Sequence, residues 1–539
     1  MEKEKAMYSR IHEPHACTLT DALCEWAASH PGAPWLEDSQ GNALTAGQAL
    51  EASQRFARFL HQLGVQPEER VGVFMSNSCA MVATTFGVGY LRAKAVMLNT
   101  ELRSSFLRHQ LNDCQLATIV VDAVLVEHIA SLADELPHLR TLIVVGDAPA
   151  AIPGRWRQVA WMDSSACAAW EGPAPRPEDI FCIMYTSGTT GPSKGVLMPH
   201  CHCALIGLGA IRSLEITAAD KYYICLPLFH ANGLFMQLGA TVLAGIPAFL
   251  KQRFSASTWL SDLRRSGATL TNHLGTTAMF VINQPPTGQD RDHRLRASLS
   301  APNPAQHEAV FRERFGVKDV LSGFGMTEVG IPIWGRIGHA APNAAGWTHE
   351  DRFEICIADP ETDVPVPAGQ VGEILVRPTV PFGFMAGYLN VPEKTVEAWR
   401  NLWFHTGDAG IRDAQGLITF VDRIKDCIRR RGENISATEV EAVVSQLPGI
   451  HEVAAYAVPA QGAGGEDEVM LALVPSEGVT LDMADIVRQA SAQLPRFAKP
   501  RYLRQMDCLP KTATGKIQRA ILRQQGSADA YDAEAAHSQ

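Results

Sequence analysis

Between residues 46 and 63 (AGQALEASQRFARFLHQL) apolar side chains return every three or four positions, and Gly64 follows. That spacing predicts a helix with one buried face. A short apolar run at 70–75 predicts a strand, and a second helix runs through Tyr90. Apolar runs at 117–121, 141–145 and 181–185 read as further buried strands. Strands alternating with helices predict an α/β fold with a largely parallel sheet. From about 353 to 422 the texture shifts to short strands and turns, as at 372–377 and 417–421, which predicts a β-rich subdomain. A basic stretch at 422–431 precedes a compact final segment. There the pattern predicts a helix near 438–447, strands near 453–458 and 469–474, and a helix over 483–494, a small α+β domain. The polar end, 526–539, reads as a disordered tail.

Composition narrows the function classes. A chain of 539 residues exceeds one core, and 46% hydrophobic with 19% charged residues is ordinary for a globular protein. A formal charge of −10 argues against nucleic acid or an anionic membrane as partner. No apolar run approaches the roughly 18 residues of a membrane span. The beginning, MEKEKAMYSRIHEPH, lacks the apolar core of a signal peptide, so a cytoplasmic protein is expected. Twelve cysteines are too few and too scattered for a disulfide framework. The cluster His200-Cys201-His202-Cys203 could suggest zinc, but neither strand nor helix spacing converges four ligands on one ion. A helix start with buried thiols is the expected reading.

Four segments carry chemistry. Tyr185-Thr-Ser-Gly-Thr-Thr-Gly-Pro-Ser-Lys-Gly195 follows an apolar strand and concentrates hydroxyls, glycines and one lysine. Glycines let backbone N–H groups approach an anion, and Lys194 adds a point charge for phosphate. The lysine spacing differs from that of a Walker A loop. In Gly323-Phe-Gly-Met-Thr-Glu328 a carboxylate sits beside a threonine, which suits Mg²⁺ and phosphate better than a dinucleotide. His405-Thr-Gly-Asp408 offers a carboxylate to a ribose diol, although Gly-Asp is also a common turn. Pro510-Lys-Thr-Ala-Thr-Gly-Lys516 places a lysine on a Gly/Thr-rich loop, where a lone lysine is usually solvated.

These four segments, in this order, resemble the ANL superfamily of adenylate-forming enzymes over about residues 15 to 525. The Gln284-Pro-Pro and His293-Arg-Leu-Arg296 stretches and the Arg-Gly-Glu-Asn434 turn are similar to crotonobetaine/carnitine-CoA ligases. The resemblance implies a large N-terminal domain, 1–422, of two α/β subdomains plus a β-rich one. A hinge at 423–427 and a small mobile α+β domain at 428–525 would follow. It implies ATP, Mg²⁺ and coenzyme A as cosubstrates and cofactor. Thr186, Ser187, Gly188, Thr189, Thr190, Gly191 and Lys194 would hold the β- and γ-phosphates. Ser300, Ala301, Pro302, Phe324, Gly325 and Met326 would contact the adenylate, with Phe324 stacking on adenine. Thr327 would touch the α-phosphate and Glu328 would ligate Mg²⁺. Asp408 and Arg423 would fix the ribose. Lys516 would reach the carboxylate and α-phosphate, Lys425 would be the hinge, and Gly432 would line the pantetheine tunnel. His230 would wall the acyl pocket, with Phe235 and Trp334 as further lining.

The chain departs from the family pattern in three places. Phe324 replaces a common tyrosine, Ser300-Ala-Pro-Asn303 replaces a glycine-rich turn, and Lys94 replaces a frequent glycine, for which the sequence offers no account. The resemblance leaves the acceptor open between CoA and a carrier-protein pantetheine, with an inactive sensor or a light-emitting oxidase as remoter readings. The acid stays open between a trimethylammonium acid and other small, medium-chain, aryl or steroid-side-chain acids. A small carboxylic acid is the expected partner, with a homodimer as a possible assembly.

Overall fold

The computed structural model describes residues 8–147, 154–186, 192–301, 303–423, 428–431, 433–435, 437–460, 467–510, 517 and 519–536. Ser187, Gly188, Thr189, Thr190, Gly191, Pro302, Lys425, Gly432 and Lys516 lie outside the described residues, and Arg423 is described only as the end of a strand. The chain divides into two compact units. One comprises Met1–Thr100, Leu111–Tyr185 and Gly195–Asp422; the other comprises Glu101–Gln110, Thr186–Lys194 and Arg423–Gln539.

The predicted 46–63 helix spans Ala46–Gln62. Thr45 accepts from the Gln48 N–H while the Gln48 side chain accepts from the Thr45 N–H, a reciprocal cap that fixes its start. Its apolar stripe (Ala49, Phe56, Ala57, Leu60) enters the main core. Among the described residues, eight strands form one sheet, with Arg70–Phe74 at its centre between Lys94–Met97 and Thr118–Asp122. Ile180–Thr186, Thr141–Val145 and Arg157–Ala160 extend it in parallel, and Gly387–Tyr388, at one edge, runs antiparallel to Lys194–Pro199. A seven-stranded second sheet runs Asp319–Leu321, Ala297–Ala301, Leu270–Leu274, Tyr222–Ile224, Ala248–Leu250, Pro34–Asp38, Ala43–Thr45. It is parallel up to the antiparallel edge pair that closes it. These are the two α/β subdomains, and helices packed on their faces make the core continuous.

The β-rich subdomain is a four-stranded sheet of Phe353–Ala358, Val371–Pro378, Phe404–Arg412 and Ile418–Arg423. The small domain has its own core under the strands Ile450–Pro459, Asp467–Pro475 and Tyr502–Gln505. Its helices include Ala437–Val444, Met483–Gln493 and Arg519–Gln524.

The structure corrects the expected tail. Tyr531–Asp532 forms a strand antiparallel to Tyr502–Leu503, and Ala533–Ala536 is helical. Charge adds to strand pairing and to the packing of Ala530 in holding this segment. Asp532 pairs with Arg501 at 3.3 Å, and Glu534 pairs with Arg430, Arg431 and Arg501 at 3.3–3.5 Å. Arg430 also meets Glu468 at 2.5 Å and is 4% exposed.

Candidate active site

Glu328 is built by a tight hairpin. The strand Gly323–Met326 folds back on Gly330–Trp334 with an irregular register at Phe324/Met326. A Cβ on Gly325 would lie 2.2 Å from the Gly330 carbonyl oxygen, so only glycine permits this approach. Gly330 itself has φ +70°, which favours glycine. The glycines that mimic a nucleotide fingerprint in sequence therefore serve the hairpin. They deliver Glu328 at 4% exposure, with the Tyr388 hydroxyl donating to its Oε1 at 2.9 Å and the Met385 N–H donating to its carbonyl at 3.0 Å. Burial, then the Glu328 charge, holds the Tyr388 phenol well above its ordinary range, so it stays a donor.

His202 supports the same turn from behind. Its Nε2 lies 2.9 Å from the Thr327 carbonyl and its Nδ1 lies 2.8 Å from the Gly383 carbonyl. Burial lowers its pKa, so the neutral ring donates to one carbonyl at a time. The four-residue cluster that suggested zinc thus starts the helix His200–Ser213 with all four side chains buried. Burial raises the Cys201 thiol to about 12. Sequence reading missed the role of His202, because nothing local ties residue 202 to residue 327.

Phe324 stacks on Phe420 with ring centroids 6.1 Å apart and planes at 24°. Ser300 and Ala301 end the strand Ala297–Ala301, at the carboxyl edge of the second sheet where α/β folds bind ligands. Asp408 is 6% exposed. It follows Gly407, whose φ of +72° turns the chain, and its N–H donates to Thr406 Oγ1 at 3.1 Å. Glu373 accepts the Gly407 N–H at 2.9 Å and lies 3.0 Å from His405 Nδ1, so the turn is held from both sides. Thr186 ends the strand Ile180–Thr186, and Lys194 opens the strand Lys194–Pro199. Just before the loop, the Tyr185 hydroxyl donates to Asp113 Oδ2 at 2.6 Å.

His230 is positioned by a residue that sequence reading missed. Asn77 is 3% exposed and gives its amide wholly to backbone. Its Nδ2 donates to the Leu226 carbonyl at 2.9 Å and the Lys251 carbonyl at 3.1 Å, and its Oδ1 accepts from the Leu228 N–H at 2.8 Å. The segment leading to His230 is thereby fastened across the two subdomains. A π-helix, Asn232–Gly239, follows at once. Phe235 and Trp334, the two aromatic side chains expected in the acyl pocket, are both buried. Phe235 is fully buried 6.0 Å from Phe181, and Trp334 stacks on His349 at 5.8 Å while donating to the Ile331 carbonyl at 2.5 Å.

Other singled-out residues are structural. Lys94 pairs with Glu68 at 2.9 Å, which accounts for a charge at that strand start. Arg296 makes a two-pronged bond to Asp220 at 2.7 and 2.9 Å. Among the described residues no helix is long and apolar enough to cross a membrane.

Comparison with known proteins identifies the family. The AMP-binding enzyme family matches residues 23–389, and the AMP-binding enzyme C-terminal domain matches residues 439–516. The chain belongs to the AMP-binding enzyme family. It is 30% identical over 514 residues to the sulfoacetate–CoA ligase of Cupriavidus necator, covering 94% of this chain and 97% of that one. It is 27% identical to the crotonobetaine/carnitine–CoA ligase of Shigella dysenteriae, covering 90% and 95%. A solved anthranilate CoA ligase in complex with anthranoyl-AMP superposes with a TM-score of 0.71 at 25% identity, covering 98% of this chain and 100% of the other.

Proposed function

We propose that the protein converts a small, polar carboxylic acid to its CoA thioester by way of an acyl-adenylate. The protein is an AMP-forming acid–thiol ligase that uses ATP and coenzyme A. The observation that carries the site assignment is the buried Glu328 carboxylate, fixed through Tyr388 and through the backbone of its own hairpin.

A carboxylate cannot react with a thiol while hydroxide is its leaving group. Attack of the acid on the α-phosphorus of ATP gives the mixed anhydride and pyrophosphate; the thiol then displaces AMP. Charge accumulates on phosphoryl oxygens in the first step, so fixed positive charge and donors accelerate it. Thr327 would hydrogen-bond the α-phosphate and Lys194 would neutralise the outer phosphates. Asp408 would hold the ribose, and Phe324, already stacked on Phe420, would face the adenine. The donor set fits Mg²⁺, a hard cation that prefers carboxylate oxygen, and Glu328 would hold it. The ion supplies charge neutralisation on the phosphate oxygens when bound.

Lys516 would bring a charge to the first step only, with the small domain swinging on Lys425 before thiolysis and Gly432 lining the thiol's path. The similarity to ligases of sulfoacetate and of crotonobetaine or carnitine supports a small polar acid. ATP and CoA as cosubstrates support a cytoplasmic location. Acid-dependent exchange of pyrophosphate into ATP, over a panel of acids, tests the first step. Thioester formation with CoA against a carrier-protein pantetheine tests the second. Exchange with none of the acids would overturn the assignment.

A further inference from the structure

The stretch after His230 holds a polar chain that the adenylation chemistry does not use. Tyr222 and Asn272 are fully buried on neighbouring strands of the second sheet. The Tyr222 hydroxyl lies 2.8 Å from Asn272 Oδ1, its one hydrogen-bond partner among the described residues. Asn272 Nδ2 lies 2.7 Å from Asn232 Oδ1 and 3.1 Å from Met236 Sδ.

Satisfying this network fixes its direction. A fully buried hydroxyl must place its proton, and the Asn272 carbonyl is the acceptor it reaches. Asn272 then turns both N–H bonds toward Asn232 and Met236. Asn232 must answer with its carbonyl oxygen, so its own NH₂ points away from the chain. That NH₂ has no acceptor among the described residues. Asn232 and His230 are part-exposed, whereas Gly233 to Gly239 are all buried. Gly233 presses the turn onto the segment before it, since a Cβ there would lie 2.4 Å from the Pro227 carbonyl oxygen.

We propose that Asn232 is a specificity-determining residue of the acyl pocket. Its outward N–H groups, oriented by Tyr222 and Asn272, select acids that carry a hydrogen-bond acceptor at the end remote from the reacting carboxylate. This rests on the reading of His230 as a wall of that pocket. A trimethylammonium group offers no acceptor and is disfavoured; a carbonyl, carboxylate or sulfonate is matched. Loss of such a bond, with the donor left facing an alkyl group, discriminates by roughly ten- to a hundredfold.

The test compares levulinate (neutral acceptor), succinate (anionic acceptor) and pentanoate (none) on the full-length protein, by calorimetric binding and by pyrophosphate exchange. Wild type should prefer at least one acceptor-bearing acid over pentanoate by about tenfold or more. Which of the two it prefers separates neutral from anionic recognition. Asn232→Leu should abolish that preference without changing the KM for ATP. Tyr222→Phe, which keeps the shape but frees Asn272 to flip, should weaken it partially. Equal preference in wild type and Asn232→Leu, or wild-type preference for pentanoate, overturns the proposal. Failure of all three acids to bind, while longer acids support exchange, overturns it as well. Selective binding lost in Asn232→Leu without any exchange would uphold Asn232 and refute the ligase reading instead.

Discussion

Acid should unfold the large domain well before its carboxylates protonate, because three of its histidines are sealed in the neutral form. His200, His273 and His349 are between 0% and 4% exposed, and burial lowers each from 6.5 to about 3. Their surroundings explain this. The His200 ring lies 4.6 Å from Phe181 with neither nitrogen hydrogen-bonded, and His273 is walled by Trp259 and Phe311. His349 lies under Trp334, and Arg212 and Arg352 lower it further. The unfolded chain takes up these protons near 6.5 and the native one cannot, so the unfolded state binds more protons in the window between the two values. Stability is therefore full above about pH 6.5 and falls as pH drops below it. At about pH 5 each group should contribute a loss of about 2 kcal/mol, and the three together about 6 kcal/mol, a large share of a domain's stability. Asp122, whose carboxyl burial raises, acts in the opposite direction. Urea unfolding of the large domain, followed by tryptophan fluorescence at about pH 7 and pH 5, gives the slope. His273→Gln should shrink the difference between the two pH values by about 2 kcal/mol, whatever it does to absolute stability. An unchanged slope in His200→Gln, His273→Gln and His349→Gln alike would refute the reasoning.

The remaining predictions concern the reaction. Asp408→Ala should raise the KM for ATP and lower kcat/KM by about ten- to a hundredfold, the value of a charge-assisted hydrogen bond; full activity would place the ribose elsewhere. Asn77→Leu should raise the KM for the acid far more than that for ATP, since the amide holds the segment before His230; equal effects on both would make Asn77 a general stability residue. Lys516→Ala should cripple adenylation yet spare thioester formation from presynthesised acyl-AMP, and equal loss in both half-reactions would sink that role. Lys425→Pro should show the reverse, because proline removes the φ freedom that a rotation needs; unimpaired thioester formation would rule out the hinge.

Periodicity made the first sheet legible. Its central strands are apolar runs of four to seven residues, and the structure finds Thr118–Asp122, Thr141–Val145 and Ile180–Thr186 within a residue or two of the expected bounds. The second sheet was harder to read. Tyr222–Ile224, Ala248–Leu250 and Asp319–Leu321 are three residues each, too short to show a period, and Leu270–Leu274 contains Asn272 and His273. Those polar residues are buried because they find partners far along the chain, which local pattern cannot show. The same holds at the site. Glu328 is visible beside Thr327, but Tyr388, His202 and Asn77 act from 60, 125 and 149 or more positions away. The closing segment was misread because its order comes from strand pairing and ion pairs with residues far along the chain, which composition does not register.

That segment also guards an edge. Tyr502–Gln505 pairs with Asp467–Pro475 on one side, and Tyr531–Asp532 covers its other side. Were the chain shortened after 525, Tyr502 and Leu503 would present open N–H and C=O groups, the template on which strands of separate molecules join. Buried Arg430 would keep Glu468 but lose Glu534, leaving charge less compensated at the end of the strand Ile428–Arg430. The closing segment, which looks expendable from its composition, thus acts as a gatekeeper against self-association, and its removal should show first as turbidity.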